Sequence, residues 1–275
     1  MIAALTRLTM ASSPADAGSA RRRPRFVGTR ASGFAIVFLL LALWESSARF
    51  GWVVSSNWPP FTAIVGALIQ GFADGELAKP LLGTLQRMLI GYASGCFAGI
   101  ALGLLLGTVR PLRYVFLPLI EIMRPIPAPA IIPPLILFLG VDDALKIVII
   151  ALASFFPVFV NTMAGVSSVD DVLRQTARTF RVGWRRTVMQ VVLPGTLPSI
   201  AAGMRTAISL SLVVAVIAEM IAGSAGMGYY IVQMQYALKP QYMYAAVICL
   251  AVLGYCLNAL FLTVERRMMP WVGRS

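Results

Sequence analysis

Histidine is absent from the 275-residue sequence, cysteine occurs three times, and acidic residues number 11 against 23 lysines and arginines. Without histidine there is no His-dependent triad or dyad, no His-ligated haem and no zinc hydrolase site of the usual kind. An intramembrane hydrolase is disfavoured too, because no Ser–Lys pair falls within one layer of the chain; we expect no catalytic residues. Cys96, Cys249 and Cys256 lie inside apolar segments at no metal-ligand spacing, so they read as small packing residues, with neither a metal nor a disulfide expected. No G-x-x-x-x-G-K-[ST] segment occurs, which excludes a phosphate-cradling P-loop. Charge is scarce overall, at 12% of residues, where soluble domains carry about 25%.

Apolar surface takes its place, with 59% of residues hydrophobic. That balance describes an all-α polytopic membrane protein with a single membrane domain, since several spans of roughly 20 residues use up nearly all of the chain. The net charge of +12 could suit nucleic acid, but Arg- and Lys-rich cytoplasmic loops explain it in a membrane protein, and no nucleic-acid partner is expected.

Taken in order, residues 1–30 combine small polar residues with Arg21, Arg22, Arg23, Arg25 and Arg30, a disordered basic cytoplasmic tail. A single transmembrane domain is expected over 31–268, with a short cytoplasmic tail at 269–275. Ala31 to Phe50 reads as an uncleaved first span. Residues 51–83 are less apolar and lie outside, with one amphipathic run from Phe61 to Phe72. Leu89 to Thr108 is free of charge and long enough to cross. Within it Gly91, Gly95, Gly99, Gly103 and Gly107 recur at every fourth position, a ridge on which another helix backbone can pack closely.

Arg110 and Arg113 mark a cytoplasmic turn before Tyr114 to Gly140, where Pro118, Pro125, Pro127, Pro129, Pro133 and Pro134 forbid one continuous helix. Broken backbone at membrane depth needs protein or a water-filled cavity to satisfy it. Arg124, Pro125, Pro127, Pro129 and Pro133 are therefore either a pathway lining or gate, or a re-entrant elbow in which Glu121 pairs with Arg124. Ala144 to Val166 returns inward, with a kink at Pro157 and Asn161 free for an interhelical hydrogen bond. Leu197 to Ala222, carrying Arg205 and Glu219, and the charge-free Tyr242 to Val264 complete about six spans. This topology puts 16 of the 23 basic residues in the cytoplasm and only Arg49, Lys79 and Lys239 clearly outside, which fixes the orientation.

The most polar stretch between spans, Asp170 to Ser199, holds Arg174, Arg178, Arg181, Arg185 and Arg186. Helical spacing places Leu173, Ala177 and Phe180 on one face and the arginines on a neighbouring one, with Gly183 ending the helix. Such a stripe serves as a solvated topology determinant, a contact for anionic headgroups, or a segment that docks in an acidic groove.

The stretch resembles the cytoplasmic loop of binding-protein-dependent ABC importer permeases, whose pattern is E-A-A, three residues, G, nine residues, I-x-L-P. Gln175, Thr176 and Ala177 take the E-A-A places, Arg181 the glycine, and Val191, Leu193 and Pro194 the I-x-L-P; Gln175, Thr176 and Arg181 depart from the pattern. TLQRMLIGY (84–92), RPIPAPAIIPPLILFLG (124–140), LPGTLPSI (193–200) and AEMIAGSAGMGYYI (218–231) are similar to the nitrate, taurine and aliphatic sulfonate importer permeases. The resemblance implies a type I ABC importer (MetI-like) permease fold. It also implies a homodimer with a second copy, two cytoplasmic ABC ATPase subunits that hold the ATP and Mg, and an external substrate-binding protein; this chain itself binds no cofactor. The coupling loop would span 168–194, with Leu173, Gln175, Thr176, Ala177, Phe180, Arg181, Gly183, Leu193 and Pro194 meeting the ATPase. The substrate class it implies is a small anion of the sulfonate, taurine or nitrate kind; Arg124 and Arg205 either favour such an anion or pair with Glu121 or lipid headgroups. The alternative is an ion-coupled secondary transporter working without an ATPase, for which Glu219 is the one membrane-embedded acid.

Overall fold

The computed structural model describes residues 30–53 and 55–270, and every element among them is helical. The basic tail expected over 1–30 lies almost wholly outside the described residues, as do residues 271–275. The helices are α1 (Arg30–Arg49), α2 (Phe61–Ala73), α3 (Ala78–Thr108), α4 (Arg110–Met123), α5 (Ile132–Leu139), α6 (Asp143–Ser168), α7 (Asp171–Thr179), α8 (Trp184–Thr187), α9 (Leu193–Ala222), α10 (Met227–Tyr236) and α11 (Pro240–Met268). A 3₁₀ turn (Ala128–Ile131) precedes α5, and a π turn (Val188–Val192) joins α8 to α9. Four units are long and apolar enough to cross a membrane: α3, α6, the 39-residue rod Trp184–Ala222, and α11. The pair α4 and Ala128–Leu139, bent by 87°, makes a fifth. The 20-residue α1 occupies the stretch expected to form the first span.

The centre of the molecule is α3, α6 and α9, and glycine explains their closeness. A Cβ placed on Gly95 would stand 2.3 Å from the Ala151 carbonyl oxygen of α6, and one on Gly99 2.9 Å from the Phe155 carbonyl oxygen. Gly91, Gly103 and Gly107 face α6 in the same way, at 2.7–2.8 Å from Ile150, Thr162 and Val166. The whole ridge thus lies against one helix. A second seam, Gly165 against Ser199 and Gly203 against Pro157 and Asn161, brings α9 to the other flank of α6. Met88, Ile149, Ile150, Val158 and Ala215 fill the remaining core. At its edge, Trp44 of α1 stacks on Trp58 with centroids 4.7 Å apart, and its indole N–H donates to the Pro59 carbonyl at 3.0 Å.

Four local expectations are corrected. Helix α3 starts at Ala78, not near Leu89, because polar Thr84 and Arg87 find buried partners and can join the helix. Arg110 and Arg113 stand in the first turns of α4, leaving Val109 alone as the break after α3. Glu121 and Arg124 are both exposed and form no ion pair. Asn161 donates its amide to the Pro157 carbonyl of its own helix at 2.8 Å, not across to another.

Candidate functional site

The polar loop is built from its cap inwards. Asp170 accepts the Val172 N–H at 2.8 Å and so starts α7, with Asp171 in the first turn and Arg178 in the last, as the helix dipole favours. The helix then stops at Thr179, short of the expected end at Gly183. Arg181 N–H donates to the Arg178 carbonyl and Val182 N–H to the Ala177 carbonyl, both at 2.9 Å, which is the Schellman pair of bonds. Arg181 occupies the left-handed position of that turn, with φ 50°. Gly183 instead has φ −59° and ψ 149° and precedes α8. Arg181, aligned with the glycine of the loop pattern, therefore has the backbone that a glycine accommodates best.

The expected apolar face divides. Ala177 is buried, while Leu173 and Phe180 are 54% and 77% exposed, together with Val172 and Trp184. Arg174 turns inward, donating a guanidinium N–H to the Val166 carbonyl at the end of α6, and its buried Nε has no partner. Gln175, Thr176, Arg178, Arg181, Arg185 and Arg186 face solvent. Beyond α8 the chain widens into the π turn just ahead of Pro194, whose ring crowds the preceding turn and whose nitrogen cannot donate. Leu193 is half-buried and Pro194 exposed.

A cleft of 490 Å³ opens at mid-length of α6 and α9, lined by Arg124, Pro129, Phe156, Asn161, Thr206 and apolar neighbours. Of the residues expected in a pathway, Arg124 and Pro129 reach it. Pro125, Pro127 and Pro133 do not line it and instead belong to the bent segment that carries those two. The segment is bent by 87°, and Glu121 and Arg124 form no ion pair in it. Arg205 is exposed away from the cleft.

At the end of the bundle opposite the loop lies a charge cluster that local sequence did not show. The Glu219 carboxylate, 1% exposed, accepts from Thr84 Oγ1 at 2.8 Å, Arg87 Nη1 at 2.8 Å and Gly228 N–H at 3.1 Å. Thr84 in turn accepts the Met227 N–H at 2.8 Å, and Asp143 links Arg87 to buried Lys146. Gly226, at φ 108°, lies so near that a Cβ there would be 2.2 Å from the Glu219 carboxyl carbon. Gly226 and Gly228, which follow Glu219 in the chain, are what let that loop close over the acid. Glu219 does not line the central cleft.

Comparison with known proteins agrees with this architecture. The family model described as "Binding-protein-dependent transport system inner membrane component" matches residues 98–270. The putative aliphatic sulfonates transport permease SsuC of Escherichia coli (strain K12) is 32% identical over 84% of this chain and 88% of its own length. The taurine transport system permease TauC of the same strain is 29% identical over 86% of this chain and 87% of its own. The nitrate import permease NrtB of Leptolyngbya laminosa is 28% identical over 85% of each. Among solved structures, an inward-facing MetNI methionine ABC transporter chain superposes with TM-score 0.60 at 18% identity, covering 68% of this chain and 93% of that one, which shows a shared fold. A polytopic helical bundle with a polar loop between spans, matched by that family over residues 98–270, belongs to the binding-protein-dependent transport system inner membrane components, the permeases of ABC importers.

Proposed function

We propose that the chain is the translocation subunit of an ATP-driven importer for a small anion of the sulfonate, taurine or nitrate kind. It works as a homodimer with two cytoplasmic ATPase subunits, which supply ATP and Mg, and receives solute from an external binding protein. The observation that carries this reading is the Asp170–Arg186 segment, an ordered short helix with exposed Leu173, Phe180 and Trp184. The rod beginning at Trp184 has 39 residues. At about 1.5 Å per residue it runs roughly 58 Å, longer than the roughly 40–45 Å of a bilayer with its headgroups. That length suits a loop end standing clear of the headgroups, and the positive-inside bias favours the cytoplasmic side for it. An exposed apolar helix held there suits a soluble partner.

The central cleft supports the anionic substrate. Arg124 is its one charged lining residue, with Asn161 and Thr206 as polar neighbours. An ion-coupled transporter would want an acid on the pathway, and Glu219 is instead enclosed by Thr84, Arg87 and the Gly228 amide. The test is uptake of labelled sulfonates, taurine and nitrate into proteoliposomes with the ATPase and binding protein that accompany the chain. Uptake is expected only with ATP and all three components. Gradient-driven uptake by the chain alone would overturn the proposal.

A further inference from the structure

The loop surface is more specific than docking alone requires. Arg178, Arg181, Arg185 and Arg186 are exposed, and none has an ion-pair partner among the described residues. The acids of the segment, Asp170 and Asp171, sit at the far end of α7, where Asp170 is engaged as the cap. Phe180 and Trp184 stand among the arginines and, with Arg181, Arg185 and Arg186, wall a cleft of 510 Å³ that contains no carboxylate. Against the loop pattern that this stretch resembles, Gln175 removes a negative charge and Arg181 adds a positive one. Arg181 does so at a left-handed position, φ 50°, where glycine would be easier. Alone, such a cluster repels itself.

We propose that the ATPase surface receiving this loop is an acidic groove with an apolar floor. Its carboxylates pair with Arg178, Arg181, Arg185 and Arg186, and its floor seats Phe180 and Trp184. The proposal rests on the docking role given above and adds partner choice to it. An ATPase with a basic groove, suited to a glutamate-bearing loop, is rejected by like charge. Anionic lipid offers the same charge but no fixed floor for Phe180 and Trp184, and the lipid composition of the test separates the two.

The ATPase that co-purifies with the full chain tests this, titrated against the chain in nanodiscs of neutral phosphatidylcholine. Affinity is expected to fall about tenfold from low to high salt. Arg178→Gln or Arg186→Gln should each cost roughly two- to fivefold, and Arg185→Glu with Arg186→Glu about a hundredfold. All are surface changes, so an unaltered size-exclusion profile is the folding control. Insensitivity to salt and to the double variant, with Phe180→Asp still abolishing binding, would overturn the acidic groove and leave docking intact. Insensitivity to all three, or no co-purifying ATPase, would overturn docking as well. Salt-sensitive binding that needs phosphatidylglycerol in the discs would assign the patch to lipid and likewise overturn the proposal.

Discussion

Arg87 of α3 holds two acids from two other helices, donating Nη1 to Glu219 of α9 at 2.8 Å and Nε to Asp143 of α6 at 2.6 Å. Glu219 carries the junction on to α10 through the Gly228 amide. Removing Glu219 leaves Arg87 its Asp143 partner but strands the buried Gly228 N–H, at a cost of about 1–3 kcal/mol. Glu219→Ala should therefore lower stability by that amount, read as an earlier loss of the monodisperse peak when detergent-solubilised protein is heated. Thr84→Val, which strands the Met227 N–H, should cost about 1–3 kcal/mol. A Glu219→Ala protein as stable as the parent would show that the cluster is incidental.

The α3–α6 seam makes opposite predictions for two glycines. At Gly95 a methyl group meets a carbonyl oxygen at 2.3 Å, and backbone cannot swing aside as a side chain can. Gly95→Ala should destabilise by about 1–3 kcal/mol. At Gly66, inside α2, a Cβ meets nothing within 4 Å. Gly66→Ala should stabilise by about 0.5–1 kcal/mol through the helix preference of alanine. The same heating assay on both variants checks the sign of each.

The sequence revealed most where a spacing matches a period. Five glycines at intervals of four can only form a ridge along a helix, and its partner was the one thing left to find. The prolines of 125–134 likewise announced a break, since they remove donors wherever they fall. What stayed hidden depends on distance along the chain. Glu219 is met by Thr84, 135 residues away, so no local window shows that this acid is enclosed. For the same reason hydropathy starts the span at Leu89, because the partners that let Thr84 and Arg87 join α3 lie far along the chain. The end of α7 was misplaced for a different cause. Glycine is the usual terminator, but the cap at Asp170 fixes where the helix starts, and the Val182 to Ala177 hydrogen bond closes it at Arg181.

That closure can be tested by giving the turn the residue it favours. Arg181→Gly removes a left-handed non-glycine residue, worth about 1 kcal/mol of local stability, so the amides of α7 should exchange more slowly with solvent. The same substitution removes one arginine from the basic patch and should weaken ATPase binding roughly two- to fivefold. Local order and partner affinity should thus move in opposite directions. Gly183→Ala, at φ −59° and with open space around its Cβ, should leave the exchange of the α7 amides unchanged.

Arg174 connects the loop to the spans. It lies on α7, and its guanidinium donates to the Val166 carbonyl, among the last carbonyls of α6, which have no helical acceptor role left to fill. A cation at that end of α6 is also favoured by the helix dipole. In the proposed importer a push on α7 would reach α6 through this charged hydrogen bond, worth about 1.5–3 kcal/mol, and would pass along the glycine seam to α3. Arg174→Leu keeps the bulk and loses the bond; it should leave ATP hydrolysis by the assembled complex nearly intact while lowering the solute imported per ATP severalfold. Arg174→Lys, which can still donate to Val166, should recover most of that ratio. Equal losses in the leucine and lysine variants would mean that only packing matters at this position, and an unchanged ratio in the leucine variant would show that force enters the spans elsewhere.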